Sequence, residues 1–189
     1  VLERRDMQDF ASAMIADPPN ALRLLMLYAA IDAGIHAPVA AVIAQFHRPG
    51  EPIRYHPMPF AMDLASGISR RALRSVEREA RNALLGDRLN HPMPQLDGLV
   101  PGLDLGRAFR QGPRSAVPVL VLSGTLDGRT YPRSQREAVA GLSNAEFTIV
   151  ENAGHNLFMS SPEVTERIQA FMRGQPGVER IRIDDWDAR

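Results

Sequence analysis

The sequence predicts an α/β protein in which a mostly helical first half precedes a small parallel sheet. Apolar residues recur at helical spacing as far as Leu85, and the pattern then changes. Val117 to Leu122 is a continuous apolar run that is too short for a typical helix and rich in valine, which indicates a strand covered on both faces. Because strand and helix patterns alternate from there on, we expect the strands to be parallel.

Prolines and glycines divide the first half into four predicted helices and two irregular stretches. The helices run from Leu2 to Ala16, from a cap at Asn20 to Gly34, from Pro38 to just before Arg48, and from Ser69 to Leu85. Residues 49–59 contain four prolines and are predicted to form a loop. Residues 90–115 are predicted to be a long irregular connection.

The second half predicts two successive strand–helix pairs. They are a strand at Val117–Leu122 with a helix from Tyr131 to near Gly141, and a strand at Phe147–Val150 with a helix that is capped by Ser161 and ends at Gly174. The loose alternation of Val178, Ile181 and Ile183 indicates either a short edge strand or an extended packing arm.

Composition excludes several classes of protein. Lys+Arg and Asp+Glu both total 22 of 189 residues, so the net charge is zero and the basic excess of a nucleic-acid-binding protein is missing. No window approaches the roughly 18 consecutive apolar residues that a membrane span needs. Cysteine is absent, which excludes disulfides and thiolate metal sites. The spacing of the five histidines is not that of metal ligands.

Two residues able to carry chemistry follow the two main strands. Asp127 comes after the first strand and His155 after the second. In a parallel sheet the carboxyl ends of the strands lie at one edge, and neighbouring strands are about 5 Å apart. We therefore expect the carboxylate to contact the imidazole, to fix its tautomer, and to stabilise the imidazolium when His155 acts as a general base.

Each of these residues also has a purely structural interpretation. The pair Asp127-Gly128 is common in turns, and the carboxylate could simply cap the helix that begins near Tyr131. A histidine after a strand is likewise often a turn residue, although Gly154 before His155 indicates a close backbone approach. The pairing at two strand ends predicts a site, whereas neither residue does so alone.

The segments around these residues resemble a known family. LSGTLDGRT (residues 122–130) and VENAGHNLF (residues 150–158) are similar to the C-terminal part of the α/β-hydrolase fold, above all in serine peptidases of the proline iminopeptidase and tripeptidyl-aminopeptidase-like type. The resemblance implies that Asp127 and His155 are the acid and the histidine of a Ser-His-Asp triad. It extends to the linkers at residues 89–94 and 102–105, and it implies that the helical first half is a lid over the active site.

On this basis we expect residues 1–95 to form a helical lid segment and residues 96–189 to supply the C-terminal strands and helices of the hydrolase core. Carboxylates of the lid bind the substrate amino terminus in related aminopeptidases. The candidates for that role here are Glu3, Asp6, Asp9 and Asp32. Solvated helix faces explain the same four residues equally well.

The part of the family pattern that carries the nucleophile is not found in the sequence. This fold places its serine in a G-x-S-x-G turn ahead of the acid. Neither Ser69 nor Ser123 fits that pattern, and Ser160 and Ser161 follow His155, which is the wrong order. A His-Gly-Gly-Gly-like oxyanion segment is also absent. We therefore expect the chain to be inactive alone and to depend on an N-terminal half that carries the nucleophile.

The expected function is that of the C-terminal part of a serine hydrolase, an aminopeptidase acting on peptide N-termini. A carboxylic-ester hydrolase is the nearest alternative, and a non-catalytic interaction domain derived from a hydrolase is another. The expected substrate is a small peptide or ester, and no cofactor or metal is required. Secreted and periplasmic locations both stay open, because any export signal would lie upstream.

Overall fold

Two compact units make up the chain in the computed structural model, which describes residues 3–46, 57–89, 91, 93–158 and 160–184. One unit comprises Val1–Ala13 and Leu24–Gln111, and the other comprises Met14–Arg23 and Gly112–Arg189. The expected division into a lid (1–95) and a hydrolase core (96–189) concerns function, and it stays a prediction.

Among the described residues that precede the sheet, the regular elements are helices. They are α1 (Arg4–Met14), α2 (Pro18–Asp32), α3 (Ala37–Phe46), α4 (Pro57–Ser66), α5 (Arg70–Ala80) and α6 (Gly106–Arg110). As predicted, Ser69 lies at the start of α5, where its hydroxyl accepts a hydrogen bond from the Ala72 N–H at 3.1 Å. None of the described helices is both long and apolar enough to cross a bilayer.

The positions of prolines explain where the predicted helix bounds are wrong. α2 begins at Pro18, so Asn20 lies inside the helix and does not cap it. Residues 57–59 belong to α4 and not to a loop, while residues 49–56 lie outside the described residues. Proline lacks an N–H, but the N–H groups of the first helical turn have no partner within the helix, so proline fits there.

Two further differences from the prediction do not involve proline. α5 ends at Ala80, five residues before the predicted Leu85, and the short α6 interrupts the predicted irregular connection.

The second half forms a three-stranded sheet with the strand order β1-β2-β3, and both pairings are parallel. Its elements are β1 (Val119–Gly124), α7 (Pro132–Ala138), β2 (Ala145–Glu151), α8 (Pro162–Met172) and β3 (Arg180–Arg182). The predicted parallel α/β layer is confirmed, and the alternating tail is a strand. Helices combined with this small parallel sheet are compatible with part of an α/β-hydrolase fold.

The expectation that the first strand is covered on both faces is wrong for most of β1. Val119 to Leu122 are only partly buried, and burial is complete only at Ser123 and Gly124. β1 pairs with β2 on one side and lies at the edge of the described sheet, so its other edge has no strand neighbour among the described residues.

The core of the second unit lies between the sheet and α8. Val150 and Val164 are fully buried in it, and Ile181 of β3 packs in the same cluster. Arg167 of α8 is also buried, and its Nε donates to Thr148 Oγ1 on β2 at 3.0 Å. These contacts fix β2, and with it the loop that follows, against α8.

Replacing Ser161 by alanine should lower the free energy of unfolding by about 1 kcal/mol. Ser161 Oγ accepts a hydrogen bond from the Val164 N–H at 3.2 Å, and Pro162 follows as the first helical residue. Urea unfolding followed by far-UV circular dichroism measures the change. Ser134→Ala, at an exposed position in α7, is the matched control and should change the value by less than about 0.5 kcal/mol. Equal effects of both substitutions would contradict the assignment of Ser161 as the cap.

Candidate active site

The loops after β1 and β2 meet at the carboxyl edge of the sheet. The parallel register pairs Gly124 with Val150, so the two strands end side by side. Beyond the strands, the Thr125 N–H donates to the Val150 carbonyl at 3.1 Å, and the Leu126 N–H donates to the Ala153 carbonyl at 2.9 Å. The two loops are thus joined by backbone hydrogen bonds before either reaches its functional side chain.

Asp127 is buried, with 3% of its side chain exposed. Its Oδ1 accepts hydrogen bonds from the N–H groups of Arg129 at 2.8 Å and Thr130 at 3.0 Å. Its Oδ2 lies 3.0 Å from Nδ1 of His155. One carboxylate oxygen therefore bonds within its own turn, and the other contacts the imidazole. The residue at the start of α7 is Tyr131, and no side-chain hydrogen bond caps that helix.

His155 presents half of its ring to solvent, with 46% of its side chain exposed. Because Nδ1 is engaged by Asp127, Nε2 is the ring nitrogen left for other chemistry. Within the described part of the chain, no hydrogen bond to Nε2 is formed. The predicted contact between the turn carboxylate and the imidazole is confirmed, whereas the catalytic roles of the two residues stay predictions.

The electrostatics of Asp127 favour its ionised form. Burial alone would raise the pKa of the carboxyl group, but the hydrogen bonds from His155 and from the N–H groups of Arg129 and Thr130 outweigh burial. The net effect lowers the pKa of Asp127 below its ordinary value of 3.8. At neutral pH the carboxylate is therefore charged and can only accept hydrogen bonds, which requires a proton on His155 Nδ1.

Two features of the loop from β2 to His155 determine its path. Asn152 has a φ of 63°, in the left-handed region that asparagine tolerates better than most residues, and its Nδ2 donates to the Ile183 carbonyl at 3.0 Å. A Cβ on Gly154 would lie 2.6 Å from the Ala16 carbonyl oxygen, so no larger residue fits there. The close approach expected at Gly154 is confirmed.

Two of the other candidate carboxylates, Asp6 and Asp9, form hydrogen bonds within the helical unit. Asp9 binds Arg88 through both oxygens, at 2.5 and 2.8 Å, and Arg88 is buried, which marks Asp9 as part of a structural ion pair in the helical unit. Asp6 accepts a hydrogen bond from the Glu3 N–H at 2.9 Å in the first turn of α1. No described group of histidine and acidic residues could hold a metal ion.

Several of the described serines are engaged elsewhere or buried. Ser69 and Ser161 cap α5 and α8, and Ser66 donates to the Met62 carbonyl at 2.8 Å. Ser123 is fully buried in β1. In the described ranges, no serine hydroxyl forms a hydrogen bond with His155.

Two residues next to this site were missed by sequence reasoning. Asp17 accepts two hydrogen bonds from Asn156, the residue after His155, at 3.1 and 2.7 Å. The two residues are 139 positions apart in the chain, and Asp17 reads in the sequence only as part of a proline break. An aspartate followed by two prolines is the one signal that could have drawn attention to it.

Comparison with known proteins relates part of the chain to an α/β-hydrolase family, which is compatible with the fold and with the geometry of the site. The matching family model is described as TAP-like protein, and it covers residues 106–177, a range that includes Asp127 and His155. No curated protein and no solved structure gives a significant match.

The tautomer of His155 should depend on Asp127. In the wild-type chain the neutral ring should carry its proton on Nδ1, whereas in Asp127→Asn the amide donates to Nδ1 and the proton moves to Nε2. The ¹⁵N chemical shifts of the ring nitrogens distinguish the two forms. The His36 ring is the internal control and should not change. The same tautomer in both proteins would contradict the contact.

Asp127 should also contribute stability that disappears in acid. Since its pKa is lower in the folded than in the unfolded chain, the unfolded state binds the proton more readily, and stability is lost as the pH falls through the folded pKa. The stability advantage of wild type over Asp127→Asn, measured by urea unfolding, should therefore shrink below about pH 4. An advantage that persists unchanged to about pH 2.5 would show that the folded-state pKa is not lowered.

Proposed function

We propose that this chain supplies the acid and the histidine of a Ser-His-Asp triad in a hydrolase. One observation carries the proposal: a buried, ionised Asp127 binds Nδ1 of His155, while the other side of the ring is open to solvent. This is the arrangement that a general base needs, because one nitrogen is held in a fixed tautomer and the other is free to take a proton. The TAP-like match, which covers both residues, supports the same assignment.

In the proposed reaction, a serine hydroxyl attacks the carbonyl carbon of the substrate. As the C–O bond forms, His155 Nε2 takes the hydroxyl proton, and the carbonyl electrons move to oxygen. Asp127 holds the ring and stabilises the imidazolium. When the tetrahedral intermediate collapses, the proton passes from Nε2 to the leaving group, and an acyl-enzyme remains. Water then repeats the sequence, releases the acid and restores the serine. These steps need neither a metal nor a cofactor.

The nucleophile belongs, in this proposal, to polypeptide outside the 189 residues. The sequence contains no G-x-S-x-G turn ahead of Asp127, and no described serine hydroxyl lies in hydrogen-bond contact with His155. The chain alone is therefore inactive, and its partner is an N-terminal hydrolase half that also provides the oxyanion hole.

The proposed substrates are peptides cleaved at their N-termini, and residues 1–95 are the proposed lid segment. This specificity rests on the resemblance to tripeptidyl-aminopeptidase-like enzymes. An ester hydrolase would use the same two residues in the same steps, and the two activities differ only in the leaving group that receives the proton, an amine or an alcohol.

His155→Ala in a polypeptide that joins this chain to an N-terminal segment carrying G-x-S-x-G should lower kcat/KM by at least about 10⁴-fold, because no base remains to take the serine proton. Turnover of an aminoacyl p-nitroanilide and of a p-nitrophenyl ester measures the loss, and the ratio of the two rates separates peptidase from esterase. His36→Ala is the matched control and should retain activity.

The 189-residue chain alone should hydrolyse neither substrate. Turnover by the chain alone that disappears in His155→Ala would overturn the proposed location of the nucleophile. If the joined polypeptide hydrolyses neither substrate, and neither Asp127→Asn nor His155→Ala changes that result, the chain is a non-catalytic interaction domain.

A further inference from the structure

The segment between α1 and α2 belongs to the same compact unit as the sheet, together with the first part of α2. Residues 14–23 form one compact unit with residues 112–189. Residues 15–17, here called the crossing segment, lie against the loops that carry the two proposed catalytic residues. The contacts are with His155 and Asn156 in one loop and with Gly128 in the other.

The loop of His155 receives three hydrogen-bonded contacts from the crossing segment. The His155 N–H donates to the Ala16 carbonyl at 2.8 Å. The Asn156 N–H donates to Asp17 Oδ1 at 3.1 Å, and Asn156 Nδ2 donates to Asp17 Oδ2 at 2.7 Å. Both oxygens of the Asp17 carboxylate are thus committed to the residue after the histidine.

The loop of Asp127 is in close contact with the same segment. A Cβ on Gly128 would lie 2.4 Å from the Ile15 carbonyl oxygen, so the two backbones touch directly. One short piece of chain therefore contacts the residue after the acid as well as the histidine and the residue after it.

Local sequence explains why the Asp17 carboxylate is available for a distant partner. The Ala21 N–H donates to the Asp17 carbonyl at 3.0 Å, which places Asp17 at the cap of α2. A capping aspartate ordinarily accepts hydrogen bonds from the N–H groups of its own first turn. The first two residues of that turn are Pro18 and Pro19, which have no N–H, so Asn20 is the one residue of the usual pair that could donate.

We propose that Asp17 is a positioning residue for His155. This inference rests on the proposed function, because it assigns Asp17 the task of holding the general base against Asp127. The His155 ring is half-exposed and forms one side-chain hydrogen bond, so its direction depends on the backbone of residues 154–156. Asp17 holds that backbone through Asn156, because it accepts hydrogen bonds from both the N–H and the side-chain amide of that residue.

The test measures the tautomer of His155 in the complete 189-residue chain by ¹⁵N NMR. Asp17→Ala removes both acceptors from Asn156, and the ring should lose the uniform Nδ1–H form and show a mixture of tautomers. In the active joined polypeptide, kcat should fall about 10²-fold while KM changes little, because a misplaced base affects the chemical step. A purely structural role for Asp17 would move the unfolding transition and leave the ring spectrum unchanged.

A conservative variant separates geometry from charge. In Asp17→Asn the amide oxygen can still accept from the Asn156 N–H, and Asn156 can turn its own amide to accept from the new NH₂ group. This variant should keep the wild-type ring spectrum. Asp32→Ala, at the other end of α2, is the matched control for loss of an aspartate and should also keep it.

A second pair of variants applies if Asp17→Ala does not fold. Asn156→Asp opposes two carboxylates and should disturb the ring, and adding Asp17→Asn should restore the wild-type spectrum. A wild-type spectrum in folded Asp17→Ala, or in Asn156→Asp alone, would overturn the inference and leave the proposed function intact. A wild-type chain without the Nδ1–H form would instead overturn the proposed function.

Discussion

The parallel pairing of β1 with β2 is the constraint on which the site depends. Since Gly124 lies opposite Val150, both strands end at one edge, and the next few residues of each chain segment must share that edge. The backbone bonds between the two loops then leave little freedom before Asp127 and His155 are reached. In an antiparallel pair, the ends of the two strands would lie at opposite edges and the contact could not form.

Burial and charge are balanced at Asp127 by the turn that carries it. A carboxylate removed from water is costly unless its oxygens find donors. Here two backbone N–H groups satisfy one oxygen and the imidazole satisfies the other. The turn contacts of Asp127 are therefore not an alternative to its contact with His155. They help the carboxylate to stay charged beside the histidine.

The sequence predicted the contact between Asp127 and His155 because strand ends follow from local pattern and topology. The sequence pattern gave a wrong prediction where the same local residues are compatible with two different structures. Prolines at 57 and 59 fit a loop as well as a first helical turn, and only packing distinguishes them. The bond from Asp17 to Asn156 could not be predicted, since it joins residues 139 positions apart and depends on which segment packs on the sheet.

Several apolar side chains of the second unit are exposed, and their exposure is relevant to the proposed function. Leu126 and Phe158 flank Asp127 and His155 in sequence, and both are exposed, Phe158 to 76%. Most of β1 is only partly buried, although its composition is that of an interior strand. Apolar surface of this kind is favourable only when something else covers it. A nucleophile-bearing segment packed beside β1 would cover the strand, and an apolar substrate group would cover the rim, so the proposed function accounts for an exposure that an isolated fold does not explain.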